Sequence, residues 1–293
     1  MAIGVKSNVS RVMRGVMVAG LVAGVFAPAA LGHDFWLLPT DFTPAAGSVV
    51  GVRIEIGHAG EAEAYPRNPQ RIEKFIIVGP GEKALERVVG GAAGSDPAGE
   101  ALVSDAGVSV IGYRSNHARS ELEAAKFEAY LREEGLEEIS ERRAAEGQTG
   151  TAGKEMYSRC AKTLVRASAG AEGETRMPDA NAERVLGFTL EIVPVGDPTA
   201  AKAGDEQRVR VMFKGAPYKG AKVEFTAALD SMRGGGHAAP VSARTDAAGE
   251  ASVRLNHAGL WVVNCVVMED APEGSGADWE SWWASLTFEV AGG

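Results

Sequence analysis

The sequence predicts a mainly β protein: two β-sandwich domains of immunoglobulin-like or transthyretin-like build, the first carrying a helical insertion. Three observations predict it. Short segments alternate apolar and polar residues, the period of a half-buried strand. Glycine- and proline-rich turns separate them at short intervals. One stretch, about 118–167, breaks the pattern with apolar residues at helical spacing.

The chain opens on a segment expected to be removed. Lys6, Arg11 and Arg14 make a basic start with no acidic residue, residues 16–27 are apolar and small, and Ala30-Leu31-Gly32 fits a small-x-small cleavage site. Residues 1–32 therefore read as a secretory signal peptide, which places the mature protein in the periplasm or outside the cell. The apolar run is too short for a membrane span, which takes about 20 strongly apolar residues. Cleavage after Gly32 leaves His33 at the amino terminus. Cleavage after Ala29 is the competing site and leaves three residues in front of it.

The first β domain is expected over 33–194. Val52-Arg53-Ile54-Glu55-Ile56 alternates as a strand, and Gly57-His58-Ala59-Gly60 ends it. Phe75-Ile76-Ile77-Val78 is a second strand, closed by Gly79-Pro80-Gly81. Residues 89–100 read as a loop, and 107–113 as an apolar segment leading to His117. A helix is expected next, with Ser120 and Glu123 as a capping box, Ala124, Phe127 and Leu131 on one face, and Gly135 at its end. A second acidic helix covers about 136–146. Tyr157, Ala161, Leu164 and Val165 continue the helical spacing over 154–167, and strand character returns over 185–193.

Pro194-Val195-Gly196-Asp197-Pro198 reads as the boundary, with a β-sandwich over 199–293. Val209, Val211 and Phe213 alternate with Arg208, Arg210 and Lys214. Turns at 215–220 and 246–249 separate further strands. Residues 260–268 are nearly all apolar, as in a central strand, and Trp279, Trp282 and Trp283 anchor a last strand over 286–290.

Composition excludes some partners. The formal charge is −9, and removing the three basic residues of the signal takes it to about −12. Phosphates need a basic face, so nucleic acid is excluded as a partner. Nothing resembles a nucleophile elbow or a phosphate loop, and the protein is expected not to be an enzyme. Cys160 and Cys265 are the two cysteines. An oxidising compartment permits a bridge between them, and two buried thiols are the alternative.

Metal binding is the chemistry the histidines suggest. A free α-amine and an imidazole on one residue make a bidentate chelator, so His33 is the first candidate ligand. His58, exposed behind a glycine, is the second, and Asp34 could add an oxygen. Phe35 and Trp36 fit a core role. His117 is a third candidate against a solvated-loop reading. His237 follows three glycines, and His257 sits in a turn expected to be exposed. Nitrogen ligands suit nickel, cobalt, copper or zinc. Two other readings stand beside this one: a non-catalytic module binding protein or carbohydrate in the cell envelope, and an oxygen-activating copper site.

Several motifs carry a family resemblance: His33-Asp34-Phe35-Trp36-Leu37 after the signal; the strand ending at Gly57-His58; 126–131 with Glu133-Glu134-Gly135; Tyr157 with Lys162-Thr163-Leu164; and Asp278-Trp279-Glu280-Ser281 with 286–289. The chain resembles a bacterial domain-of-unknown-function family described as periplasmic components of cobalt/nickel uptake. The resemblance implies nickel or cobalt as the ion and a membrane transporter or outer-membrane receptor as partner. A departure lies at Val266-Val267-Met268, where relatives are expected to carry a histidine before the methionine. The C-terminal half is similar to transthyretin-like and carboxypeptidase-regulatory-like sandwiches.

Overall fold

The computed structural model describes Met1 and residues 34–57, 62–81, 86–170, 176–228 and 238–292. Apart from Met1, these lie in one compact unit, Gly32–Gly293. His33, His58, His237 and the expected signal peptide lie outside the described residues.

The fold is mainly β, with three sheets. The first joins β1 (Asp34–Pro39), β2 (Ser48–Gly57), β3 (Glu63–Ala64) and β6 (Gly99–Val103). The central sheet has nine strands: β4 (Ile72–Val78), β5 (Glu86–Arg87), β7 (Gly107–Ser115), β8 (Ala118–Leu122), β9 (Gly153–Ala167), β13 (Lys222–Ala228), β14 (Val241–Arg244), β16 (Gly259–Asp270) and β17 (Trp279–Val290). The third holds β10 (Leu190–Val195), β11 (Glu206–Phe213), β12 (Ala216–Pro217) and β15 (Glu250–Arg254). Two helices, α1 (Ala124–Glu133) and α2 (Glu137–Ala145), connect β8 to β9.

Side-chain alternation sorts the two faces of the central sheet into different cores. Val223, Phe225, Trp261, Val263, Trp282, Leu286 and Phe288 pack with Ile192, Val209, Val211 and Val253 of the third sheet. On the opposite face Ile111, Tyr113, Ala161 and Val165 pack with Phe35, Leu37, Val52 and Ile54 of the first sheet. β1 lies over the middle of the central sheet. Trp36 and Leu38 reach Ala228, Leu260 and Val262, and Thr287 Oγ1 donates to the Leu37 carbonyl at 2.7 Å.

Three expectations are corrected. The helical insertion expected over 118–167 is confined to α1 and α2. Residues 153–167 form β9, a strand buried along nearly its whole length. It is paired on one side with β7 and β8 and on the other, in parallel, with β17. A strand covered on both faces shows no alternation, so its Tyr157, Ala161, Leu164 and Val165 mimic helical spacing. The capping box does not form either. Ser120 lies in β8, its hydroxyl contacts Glu155 Oε2 at 3.3 Å, and Glu123 makes no side-chain cap.

The boundary expected at 194–198 falls between β10 and β11, which pair with each other from Leu190↔Phe213 to Val195↔Arg208. The two halves also share the central sheet through the Trp279–Thr287 and Glu155–Thr163 registers. A buried ion pair ties β9 of the central sheet to β10 of the third: Lys162 Nζ donates to Glu191 Oε1 and to the Arg184 carbonyl, both at 2.8 Å.

Candidate functional site

The site forms where β1 begins. Asp34 pairs with Gly57, so this end of the β1–β2 ladder is also the end of β2. Gly57 has φ of 134°, a conformation open to glycine. Asp34 shares its side of β1 with Trp36, facing the β13–β16 part of the central sheet.

Helix α1 brings a second carboxyl. Lys222 Nζ donates to the Glu133 carbonyl at 2.6 Å, and Arg244 Nη1 donates to the Gly135 carbonyl at 2.8 Å. Cations at a helix C-terminus satisfy its orphan carbonyls and its dipole. Gly135, at φ 71°, lets the chain turn there, and a Cβ on it would sit 2.6 Å from Lys222 Cβ. Glu134 ends this docked helix within electrostatic reach of Asp34 and Glu224. Lys222 also binds Glu224 Oε2 at 3.2 Å.

Beneath these carboxyls the sheet presents polar side chains in register. Glu224 pairs with Asn264, and Asn264 with Ser285. Asn264 Nδ2, Ser285 Oγ and Trp36 Nε1 are buried without a hydrogen-bond partner. One row along, Val266 pairs with Trp283 and Trp283 with Arg159. The Arg159 guanidinium lies 5.2 Å from the Phe35 ring centroid, 5.3 Å from Trp283 and 5.5 Å from Tyr157. Cation–π attraction of this kind strengthens on desolvation. Tyr130 stacks on Trp283 at 5.6 Å and donates its hydroxyl to Glu155 at 3.0 Å.

Burial dominates the electrostatics. It pushes the Asp34 carboxyl up to about 7, reinforced by Glu224 and opposed by Arg159 and Lys222. Burial, then Asp34, pushes Glu134 up to about 8, with Lys222 opposing. Among the described residues no hydrogen bond is made to either carboxyl. Both would give up their protons to a cation held beside them. Among the described residues no group of three His, Cys, Asp or Glu side chains could hold a metal ion. A metal here therefore needs ligands beyond Asp34 and Gly57, whose neighbours in the chain are His33 and His58.

The other sequence candidates disperse. Exposed His117 meets Glu280, Nε2 to Oε1 at 2.8 Å. His257 is half-buried rather than exposed, and its carbonyl accepts from Trp261 Nε1 at 3.0 Å. Trp279, Trp282 and Trp283 lie within β17 itself and are buried. Val267 packs on the far face of the sheet, in the core with Trp282 and Phe213, away from Asp34. Cys160 and Cys265 are both free and buried. Sequence reasoning missed Glu134 and Glu224. Their only local signals were the C-capping Gly135 and the polar run Lys222, Glu224, Thr226 on one side of β13.

The family model for a domain of unknown function, DUF4198, matches residues 30–269. The chain belongs to the DUF4198 family. Among curated proteins nothing matches this DUF4198 chain. Solved structures give distant likenesses. The D0-D1 domain of Intimin is 15% identical, covering 88% of this chain and 98% of that one, at a TM-score of 0.20. The D00-D0 domain of Intimin is 11% identical, covering 88% and 100%, at 0.19. Salmonella alpha-2-macroglobulin reacted with methylamine is 9% identical, covering 87% of the DUF4198 chain and 15% of its own, at 0.20.

Proposed function

We propose that this DUF4198 protein is an exported, non-catalytic binding protein for a transition metal ion, serving uptake or handling of nickel or cobalt, with copper or zinc as alternatives. His33 would supply its freed amine and imidazole and His58 a second imidazole, with Asp34 adding oxygen. The observation that carries the reading is the Asp34↔Gly57 pairing beside two buried carboxyls that no described residue hydrogen-bonds. In the sequence, His33 precedes Asp34 and His58 follows Gly57. Neutral imidazole and amine nitrogens with carboxylate oxygen suit nickel, cobalt and zinc, while affinity alone favours copper. A membrane transporter or outer-membrane receptor is the partner in this reading. No described helix is long and apolar enough to cross a membrane.

Metal titration of the exported protein tests it, with elemental analysis of material taken from the periplasm and sequencing of the mature amino terminus. The expected result is binding that His33→Ala and His58→Ala each weaken at least tenfold, on a chain beginning at His33. Binding unchanged by both substitutions overturns it.

One observation favours a second reading, a protein-binding module. Val49 and Leu102 stand directly opposite each other on β2 and β6, and they and Val89 are 61%, 46% and 68% exposed. An exposed apolar group of this kind marks contact surfaces when it is contiguous. Capture of an envelope protein that Val49→Lys abolishes, together with no metal recovered, would put this reading first.

A further inference from the structure

A cavity of about 440 Å³ opens at the far end of β9, lined by Thr43, Gly107, Arg166–Ser168 and 176–180. Seven residues of strand separate Arg166 from Arg159, about 23 Å. The cavity is thus distinct from the site at Asp34. Its volume falls in the range of small-molecule sites, about 300–1,000 Å³.

Among the described residues, the charged groups around it are committed, with one exception. Arg166 pairs with Asp197 and donates from Nε to Thr199 Oγ1 at 2.7 Å. Asp197 also accepts the Asp179 and Thr199 amides, both at 2.9 Å, and the Thr199 hydroxyl at 2.7 Å. Asp179 accepts the Val108 amide at 2.7 Å and the Asn181 amide at 2.9 Å. Arg176 makes only a long 3.3 Å bond, from Nη1 to the Thr199 carbonyl, and no ion pair among the described residues. Burial raises the carboxyl of half-buried Glu289, and the Arg176 charge works against that rise. A guanidinium carries five donors in a planar fork, so most of this one remains available to the cavity. Thr43 and Ser168 also line the cavity. Met177, 68% exposed, and Pro178 supply an apolar wall.

We infer that this cavity binds a small organic carboxylate with an apolar body. Arg176 grips the carboxylate through its fork, a geometry that suits guanidinium better than ammonium. Met177 and Pro178 cover the apolar body.

Benzoate and octanoate are the probes, with benzamide as the uncharged counterpart, in ligand-observed NMR and calorimetry on the mature protein. Saturable benzoate or octanoate binding is expected, with benzamide weaker by about tenfold, the scale of one charge-assisted hydrogen bond lost. Arg176→Ala should remove the binding and Arg176→Lys should retain part of it. Both variants should melt as the parent does, which separates loss of the site from loss of the fold. No saturable binding of benzoate or octanoate by the mature protein overturns the inference. So does binding that Arg176→Ala leaves unchanged, or equal binding of benzamide.

Discussion

Glu134 shows how one residue's placement sets a pH response. Its folded-state pKa, about 8, lies above the ordinary glutamate value of 4.5. The folded chain therefore binds more protons than the unfolded chain between those values, and stability falls as pH rises through that window. In chelator-treated protein, Glu134→Gln should leave the melting temperature near the parent's at pH 5 and raise it at pH 8. A gain of about 2–4 °C corresponds to each kcal/mol in a chain of this size. Melting curves across pH 4.5–9 check this, and parallel profiles for parent and variant would refute it. The cysteines give a second residue-scale expectation. Both flank Ala284, one strand away on either side, so their Cα atoms are two strand spacings apart. That is about 9–10 Å, beyond the roughly 7 Å a disulfide spans. Burial pushes the Cys160 thiol up to about 12 and raises Cys265 as well. A thiol reagent should label neither cysteine in the native protein and both in denaturant, without reductant.

At the scale of elements, the docking of α1 and the Lys162–Glu191 pair are the joints. Gly135→Ala places a Cβ in a left-handed conformation and against Lys222. It should cost about 1–3 kcal/mol and shift the end of α1 away from Glu224. Urea unfolding gives the cost, and amide exchange localised to α1 gives the shift. Lys162 and Glu191 are each about 1% exposed, and Glu191 also accepts the Leu186, Gly187 and Phe188 amides. Lys162→Met alone leaves a buried carboxylate without its cation, a loss of about 3–5 kcal/mol. Pairing it with Glu191→Gln should recover part of that loss, because the remaining amides keep an acceptor. A double-mutant cycle measures the coupling.

Across the whole molecule, the central sheet is the unit that folds. β17 pairs with both β16 and β9, so the chain's last strand completes the sheet begun in its first half. Expressed alone, 33–194 would expose the β9 edge that β17 covers, and 199–293 would lack β10 against β11. Neither piece should give a cooperative melt, whereas the intact mature chain should give one transition by circular dichroism and tryptophan fluorescence alike. Two separate transitions in the intact chain would contradict this.

The sequence by itself determined the mainly β class, most strands of the C-terminal half and both short helices. Each of these rests on local periodicity or a turn glycine. Only the tertiary structure decided that 153–167 is a strand, that β9 and β17 run parallel, and that Glu134 and Glu224 face Asp34. Periodicity reports burial on one face, so a strand covered on both faces loses its signature. Parallel pairing joins segments more than a hundred residues apart, and nothing local marks it. A carboxylate at a helix end or on a strand reads as solvated until a packed neighbour removes the water, and that neighbour is chosen by the fold.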